Sequence, residues 1–258
     1  MRNAPVGAGR DAVGMYPPSE RKAALDLLRS RGLSEVSRMT GVHRSTLRIW
    51  LREPIPAGEC PRCDGVPIPG PPYGALLGYY LGDGCLSRHR RYFTLRVSCD
   101  ARYPNIIRDI EAAIRDVRPA RRVFRVRAPG AVVVQSNWKH WPCLFPQHGP
   151  GRKHERPIVL EPWQVAIVEA YPAAFLRGLF HSDGSRVRNW TTRMVAGERK
   201  RYDYPRWQFT NVSTDIQQLC CWALDLVDVP WRQSNAKTIS VSTRAAVARL
   251  DTLIGLKR

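Results

Sequence analysis

The sequence predicts an α+β protein of two like-built halves, each running α-β-β-α-β-β-α with antiparallel sheets, preceded by a small all-α domain. Three observations carry this. A 13-residue segment recurs at an offset of 100 residues, and each copy is followed by strands and helices in the same order. The first fifty residues hold helix-period apolar patterns and no strand-like alternation.

Residues 1–15 are rich in Gly, Ala and Pro without periodicity and read as a flexible tail. Over 16–53, Ser19-Glu-Arg-Lys opens a helix whose apolar positions Ala23, Ala24, Leu27 and Leu28 recur at helical spacing, ending at Arg31-Gly32. A short helix over Ser34–Met39, a tight turn at Gly41 and a second helix over Arg44–Leu51 follow, with Val36, Val42, Leu47 and Trp50 inward and small Ser37 at the crossing. Residues 54–71 hold six prolines and three glycines among them and read as a semi-rigid linker that contains a lone Cys60-Pro-Arg-Cys63.

The two halves span 72–171 and 172–258. Pro72-Tyr-Gly-Ala-Leu-Leu-Gly-Tyr-Tyr-Leu-Gly-Asp-Gly84 aligns without gaps on Pro172-Ala-Ala-Phe-Leu-Arg-Gly-Leu-Phe-His-Ser-Asp-Gly184, matching at 72/172, 76/176, 78/178, 83/183 and 84/184. In the first half the pattern predicts strands ending at Tyr92–Ser98, a helix near Tyr103–Val117 and a hairpin of Arg121–Arg127 with Ala131–Ser136. In the second it predicts strands ending at Trp207–Ser213, a helix near Asp215–Val227, a hairpin over Trp231–Ser242 and a helix near Arg244–Leu253. Within Phe93–Ser98, alternation sets Phe93, Leu95 and Val97 on one face and Thr94, Arg96 and Ser98 on the other.

The repeated segments suit helices, with Pro in the first turn and Gly at the stop. Gly78 with Gly82, and Gly178 with Ser182, put small residues on one face, so two such helices related by a pseudo-twofold axis can pack closely. Asp83 and Asp183 would then close adjacent helices, each against a negative helix end and against the other. A divalent cation relieves that repulsion, and all-oxygen ligation suits Mg²⁺. Two carboxylates on a metal beside a basic surface make a phosphodiester hydrolysis site. The inert alternative for each Asp-Gly is a turn dipeptide.

Charge points the same way. The 41 basic residues exceed the 22 acidic by 19, mostly as arginine, which favours a polyanion. A solvated basic surface, as on ribosome-associated proteins, is the blander reading and still names nucleic acid. The basic residues interleave with aromatics and strand-like alternation rather than lining one amphipathic helix, which argues against a membrane surface. No apolar run approaches the ~20 residues of a membrane span, and the N-terminus lacks a secretory apolar stretch, so a cytoplasmic protein associated with the nucleoid through DNA is expected. The DNA-facing set expected near the hairpins is Arg88, Arg90, Arg91, Arg96, Arg121, Arg125, Arg127, Arg186, Arg188, Lys200 and Arg201.

Seven cysteines, an odd number without a secretion signal, point to thiols or metal ligands rather than disulfides. Between the halves, His140, Cys143, His148 and His154 offer four zinc-type donors at a spacing that matches no standard finger. Cys60 and Cys63 could complete a site with two of them, and a packed Trp/Pro/Phe-rich connector needs no metal at all.

Two resemblances rest on these residues. Ser34–Leu51 resembles the helix-turn-helix of bacterial DNA-binding proteins, particularly those fused to transposases and resolvases. That likeness implies base reading by His43, Arg44, Ser45 and Arg48 at the start of the second helix; an ordinary helical hairpin is the alternative. Leu76–Gly84 and Leu176–Gly184 resemble the two signature helices of the LAGLIDADG homing endonucleases, and 72–258 resembles that family's repeated αββαββα unit. Arg177 and His181 are polar where the family carries apolar residues. The resemblance implies a monomeric, pseudo-dimeric double-strand nuclease with saddle-shaped sheets over the DNA major groove. Asp83 and Asp183 would bind Mg²⁺ and position the attacking water. Basic or amide side chains, here Arg96, Asn211 and Lys237, would stabilise the transition state. No splicing blocks flank the repeats, so a free-standing protein is expected. A transcription regulator that keeps the fold as a DNA-binding platform is the second reading, since one bacterial regulator family joins a degenerate LAGLIDADG domain to a helix-turn-helix in the opposite order. An RNA splicing factor of maturase type is the third.

Overall fold

A computed structural model describes residues 18–52, 60–118 and 122–257. The expected tail over 1–15, residues 54–59 of the expected linker, and Arg121 lie outside them. The chain divides into two units, residues 1–67 and 68–258.

The first unit holds α1 (Pro18–Leu27), α2 (Leu33–Thr40), α3 (Arg44–Arg52) and the single turn α4 (Pro61–Asp64). Gly41 adopts φ +71 and stops α2, a conformation that costs L-residues a steric clash and glycine nothing. Its core is Ala24, Val36, Val42, Leu47 and Trp50, all among the apolar positions the spacing predicts, while Ala23 is exposed. The expected linker is shorter than its proline content suggests. Pro61 occupies the first turn of α4, and the Cys60 amide donates to Asp64 Oδ2 at 3.0 Å, so proline here starts a helix.

The second unit is α+β with two halves in the expected order. The first runs α5 (Gly70–Leu81), β1 (Gly84–Arg88), β2 (Phe93–Asp100), α6 (Pro104–Val117), β3 (Phe124–Ala128), β4 (Ala131–Trp138) and the short α7 (Trp141–Leu144). After α8 (Pro162–Ala170), the second runs α9 (Pro172–Ser182), β5 (Gly184–Val195), β6 (Glu198–Thr210), α10 (Thr214–Leu226), β7 (Arg232–Asn235), β8 (Thr238–Val241) and α11 (Arg244–Ile254). Each half forms a four-stranded antiparallel sheet of one topology, β1-β2-β4-β3 and β5-β6-β8-β7.

α5 and α9 pack on each other at the centre. Tyr73 through Leu81 are all buried, so α5 is apolar around its whole circumference, as a fully enclosed helix must be. The crossing is reciprocal. A Cβ built on Gly78 would sit 2.8 Å from Leu179 N and 2.9 Å from Gly178 Cα. One on Gly178 would sit 2.7 Å from Tyr79 N and 2.8 Å from Gly78 Cα. The obstructing atoms are backbone and cannot swing aside. The connector is the packed element that its aromatic content allows: Trp141, Leu144 and Phe145 are fully buried, and Tyr80 stacks on Phe145 with ring centroids 4.3 Å apart. Gly78→Ala or Gly178→Ala is expected to remove about 1–3 kcal/mol of stability each, read from denaturant midpoints; a Gly78→Ala protein that unfolds at the wild-type midpoint contradicts the close crossing.

Candidate metal and nucleic-acid site

The repeat delivers Asp83 and Asp183 to the C-terminal ends of the two central helices. Each carbonyl is fixed by a matching strand amide, Ser98 N to Asp83 O at 3.3 Å and Thr210 N to Asp183 O at 3.2 Å. The carboxylates themselves are held differently. Asn211 Nδ2 donates to Asp183 Oδ2 at 2.6 Å. The place after Ser98 that matches Asn211 holds Cys99, a thiol that burial pushes up to about 12. Asp83 opens into a pocket of about 250 Å³ with His181, Tyr79 and Lys257, and Asp183 into one of about 500 Å³ with Asn211, Lys153 and Arg156.

Both carboxyls are raised from the ordinary carboxylate range. For Asp183 the cause is first desolvation and second the charge of Asp83, and together they push it up to about 6. For Asp83 desolvation raises it, against the opposing pull of Lys257 and Lys153. Two hard oxygen donors whose charged forms are disfavoured, one reaching the other's field, fit a divalent cation, which would restore ionisation to both.

Two ammonium groups close the helix ends. Lys153 Nζ, from the connector, donates to Tyr80 O and Leu81 O, both at 2.8 Å, and to Gly82 O. Lys257 Nζ, beyond α11, donates to Ser182 O and Gly184 O, both at 3.0 Å. Cations on C-terminal helix carbonyls answer the negative end of each helix dipole. Burial lowers both amines, Lys153 to about 8, so it stays mostly charged at neutral pH. Sequence reasoning misses this pair. Neither lysine has a local motif, and only the tertiary fold carries them to the helix ends.

The expected transition-state side chains divide. Asn211 is at the site. Lys237 reaches it only through its backbone, where its carbonyl accepts from Asn211 N at 3.0 Å while its side chain is exposed. Arg96 is exposed on the face of β2 opposite Leu95 and Val97. The polar departures on α9 also find partners. Arg177 Nε lies 3.3 Å from Asp109 Oδ2, which accepts from Tyr79 Oη at 2.7 Å. His181 is buried with Nδ1 3.3 Å from Tyr79 Oη, so the two signature-like helices share a polar network beside their glycine contact.

The expected DNA-facing arginines need correction by face. Trp207 and Phe209 of β6 are buried against the helices, and residues two apart share a face. Arg186, opposite Trp207, is bound to Asp251 of α11, Nη2 to Oδ2 at 2.8 Å. Arg125 is likewise bound to Glu111 of α6, Nη2 to Oε2 at 2.8 Å. These two hold helices onto sheets. Arg127 shares the face of Arg125, and Arg188 and Arg201 both lie against Asp203, at 3.7 and 3.0 Å. Arg88, Arg90 and Arg91 are exposed at the β1–β2 end, and Lys200 is exposed on the face away from the helices. Arg193 and Arg206, which share that open face, carry no sequence signal of their own beyond their charge. In the first unit His43, Arg44, Ser45 and Arg48 are all exposed at the start of α3.

Of the four candidate zinc donors in the connector, only two meet. Cys143 Sγ is 3.7 Å from His140 Nδ1. His148 instead packs edge-on against Phe93, and His154 lies 3.9 Å from Glu155. Within the first unit, Cys60 is the N-cap of α4 and Cys63 lies in its single turn.

No protein-family model and no curated protein matches the chain. Among solved structures it is similar to I-DmoI in complex with DNA and Mn, at 10% identity over 72% of this chain and 98% of that one, TM-score 0.47. It is similar to the LAGLIDADG meganuclease I-AabMI bound to uncleaved DNA, at 11% over 70% and 82%, TM-score 0.46. It is also similar to full-length DUF199/WhiA from Thermatoga maritima, at 17% over 75% and 58%, TM-score 0.46.

A native carboxyl near 6 against an ordinary value of 3.8 means that the folded state holds a proton the unfolded state has released between those two values. Stability therefore falls as pH rises through that window. Without divalent cation at pH 7.5, Asp183→Asn is expected to raise the unfolding free energy by on the order of 1–2 kcal/mol, a gain that shrinks below about pH 6 and is gone near pH 4. An Asp183→Asn variant less stable than wild type at pH 7.5 contradicts the raised carboxyl.

Proposed function

We propose that the chain is a DNA endonuclease that hydrolyses phosphodiesters with Mg²⁺ at Asp83 and Asp183. The carrying observation is that the two aspartates ending the repeated helices sit at one crossing, with Asp183 raised by desolvation and by the charge of Asp83. Asp83 and Asp183 would hold the cation, whose chemistry there is Lewis-acid polarisation of a phosphoryl oxygen and a lowered pKa for bound water. Asn211 fixes the rotamer of Asp183 so that one carboxylate oxygen stays free. Lys153 and Lys257 set positive potential around the pair, which favours an approaching phosphate and the extra negative charge of a pentavalent transition state. The exposed His43, Arg44, Ser45 and Arg48 of α3 would add base and phosphate contacts from the first unit.

A second reading has its own support. The two lysines supply two positive charges for two carboxylates, so the site's charge closes without a metal, which suits a DNA-binding regulator that does not cut.

Wild type and an Asp83→Asn/Asp183→Asn variant are incubated with a randomised duplex library and Mg²⁺. Strand breaks made by wild type and lost in the variant, which still binds the library, are expected. Binding without breaks by both proteins contradicts the nuclease and leaves the regulator.

The zinc expectation continues as a proposal on residue chemistry. His140 and Cys143, 3.7 Å apart, are two of the four donors that a structural zinc takes. Metal analysis of purified protein is expected to find one zinc per chain, reduced in Cys143→Ser; a zinc-free wild type ends the idea.

A further inference from the structure

The two aspartates close like-built helices but open into unlike pockets. The larger, about 500 Å³ beside Asp183, is lined by Arg152, Lys153 and Arg156. The smaller, about 250 Å³ beside Asp83, is lined by Asp100, Arg102 and Lys257. Three Lys and Arg side chains therefore accompany one carboxylate on the Asp183 side, and two accompany two on the Asp83 side.

The partners of these cations widen the difference. Arg102 is neutralised by Asp100, Nη2 to Oδ2 at 2.7 Å. In the connector, Lys153 donates to the carbonyls that end α5, and Arg156 donates to Gln147 O at 3.1 Å and Gly151 O at 2.7 Å. Arg152 is exposed, and none of these three forms an ion pair among the described residues. Glu155, the one acid of residues 148–156, turns its Oε2 to the Arg152 amide at 3.0 Å and stands outside the pocket lining. All three cations come from the connector, which the repeat does not duplicate.

The carboxylates differ as well. The Asn211 amide that donates to Asp183 is itself held: its Oδ1 accepts from Ser213 N at 2.8 Å, and its backbone N–H donates to Lys237 O at 3.0 Å. Asp83 has Cys99 in that place, and the thiol turns to Val97 O at 3.8 Å. One carboxylate is fixed before a substrate arrives, and the other has no such side-chain partner among the described residues. Fixed geometry and local positive potential both lower the barrier to attack on a phosphodiester.

We infer that a duplex is cut in two unequal steps, the first at the phosphodiester that enters the Asp183 pocket, with a nicked duplex as intermediate. The inference rests on the nuclease reading above and adds to it the order of the cuts and the anion pocket that sets it. In each step water adds to phosphorus and one P–O ester bond breaks. The departing sugar oxygen takes up a proton as the water gives one up. A cleft lined by one sign of charge concentrates the opposite charge by about tenfold or more, so the first cut is expected to outrun the second by on the order of tenfold.

The test uses a supercoiled plasmid carrying a duplex selected from the library by binding, and the same duplex with each strand end-labelled in turn. Wild type with Mg²⁺ is expected to accumulate nicked circle before linear plasmid, always with the same strand cut first. Arg152→Glu, checked for wild-type circular dichroism, is expected to slow that cut roughly tenfold and the other less than about threefold. A readout without cleavage is the melting of chelator-treated protein in inorganic phosphate against chloride at equal ionic strength. Phosphate is expected to raise the midpoint of wild type and of Arg102→Ser alike, and that of Arg152→Glu less. Linear product without a nicked intermediate, equal slowing of both cuts in Arg152→Glu, or slowing confined to the second cut overturns the order. An equal phosphate shift in wild type and Arg152→Glu overturns the anion pocket. A wild type that binds the duplex and cuts neither strand overturns the nuclease reading, and the order of cuts with it.

Discussion

Everything at the centre of the second unit depends on how closely two helix backbones can pass. α5 and α9 meet at Gly78 and Gly178 with no side chain between them, and Gly82 faces Ser182 one turn later. Any larger residue would push the helices apart and carry Asp83 and Asp183 away from each other. The short approach is what makes these carboxylates neighbours, so the same atoms that fix the packing also fix the electrostatics.

That arrangement puts like charges where neither helix end welcomes them. The structure answers with Lys153 and Lys257, one from the connector and one from beyond the last helix, each wrapped by the carbonyls that end a central helix. The lysines satisfy the helix ends without forming an ion pair with either aspartate among the described residues, and Asn211 engages only Oδ2 of Asp183. Asp183 is held above the ordinary carboxylate range by desolvation and by the charge of Asp83. The halves also part company here. Asn211 grips Asp183, whereas Cys99 stands silent beside Asp83, and one hairpin extends as a ribbon where its counterpart stops at the sheet.

The duplication was legible because it is ungapped: a 100-residue offset aligned Gly78 with Gly178 and Asp83 with Asp183, and strand alternation then ordered the elements. The core of the first unit was legible for the same reason, since Val36, Leu47 and Trp50 keep helical spacing. What failed was side-chain allegiance. Arg125 and Arg186 have the composition of DNA contacts, but whether a strand residue faces helix or solvent depends on which sheet face is covered, and Glu111 and Asp251 decide that from distant elements. Lys153 and Lys257 were invisible because no spacing rule links a connector or a chain end to a helix terminus. His148 and His154 looked like ligands by proximity in sequence, yet an aromatic contact and a neighbouring carboxylate hold them elsewhere.

The claim at the centre of this account is that Asp83 and Asp183 act on one cation. Calorimetric titration of chelator-treated protein with Mn²⁺ at pH 7.5 addresses it directly, using wild type, Asp83→Asn and Asp183→Asn. A saturable wild-type site that is abolished by either single substitution is the predicted result. Saturable binding that persists unchanged in either variant would contradict it.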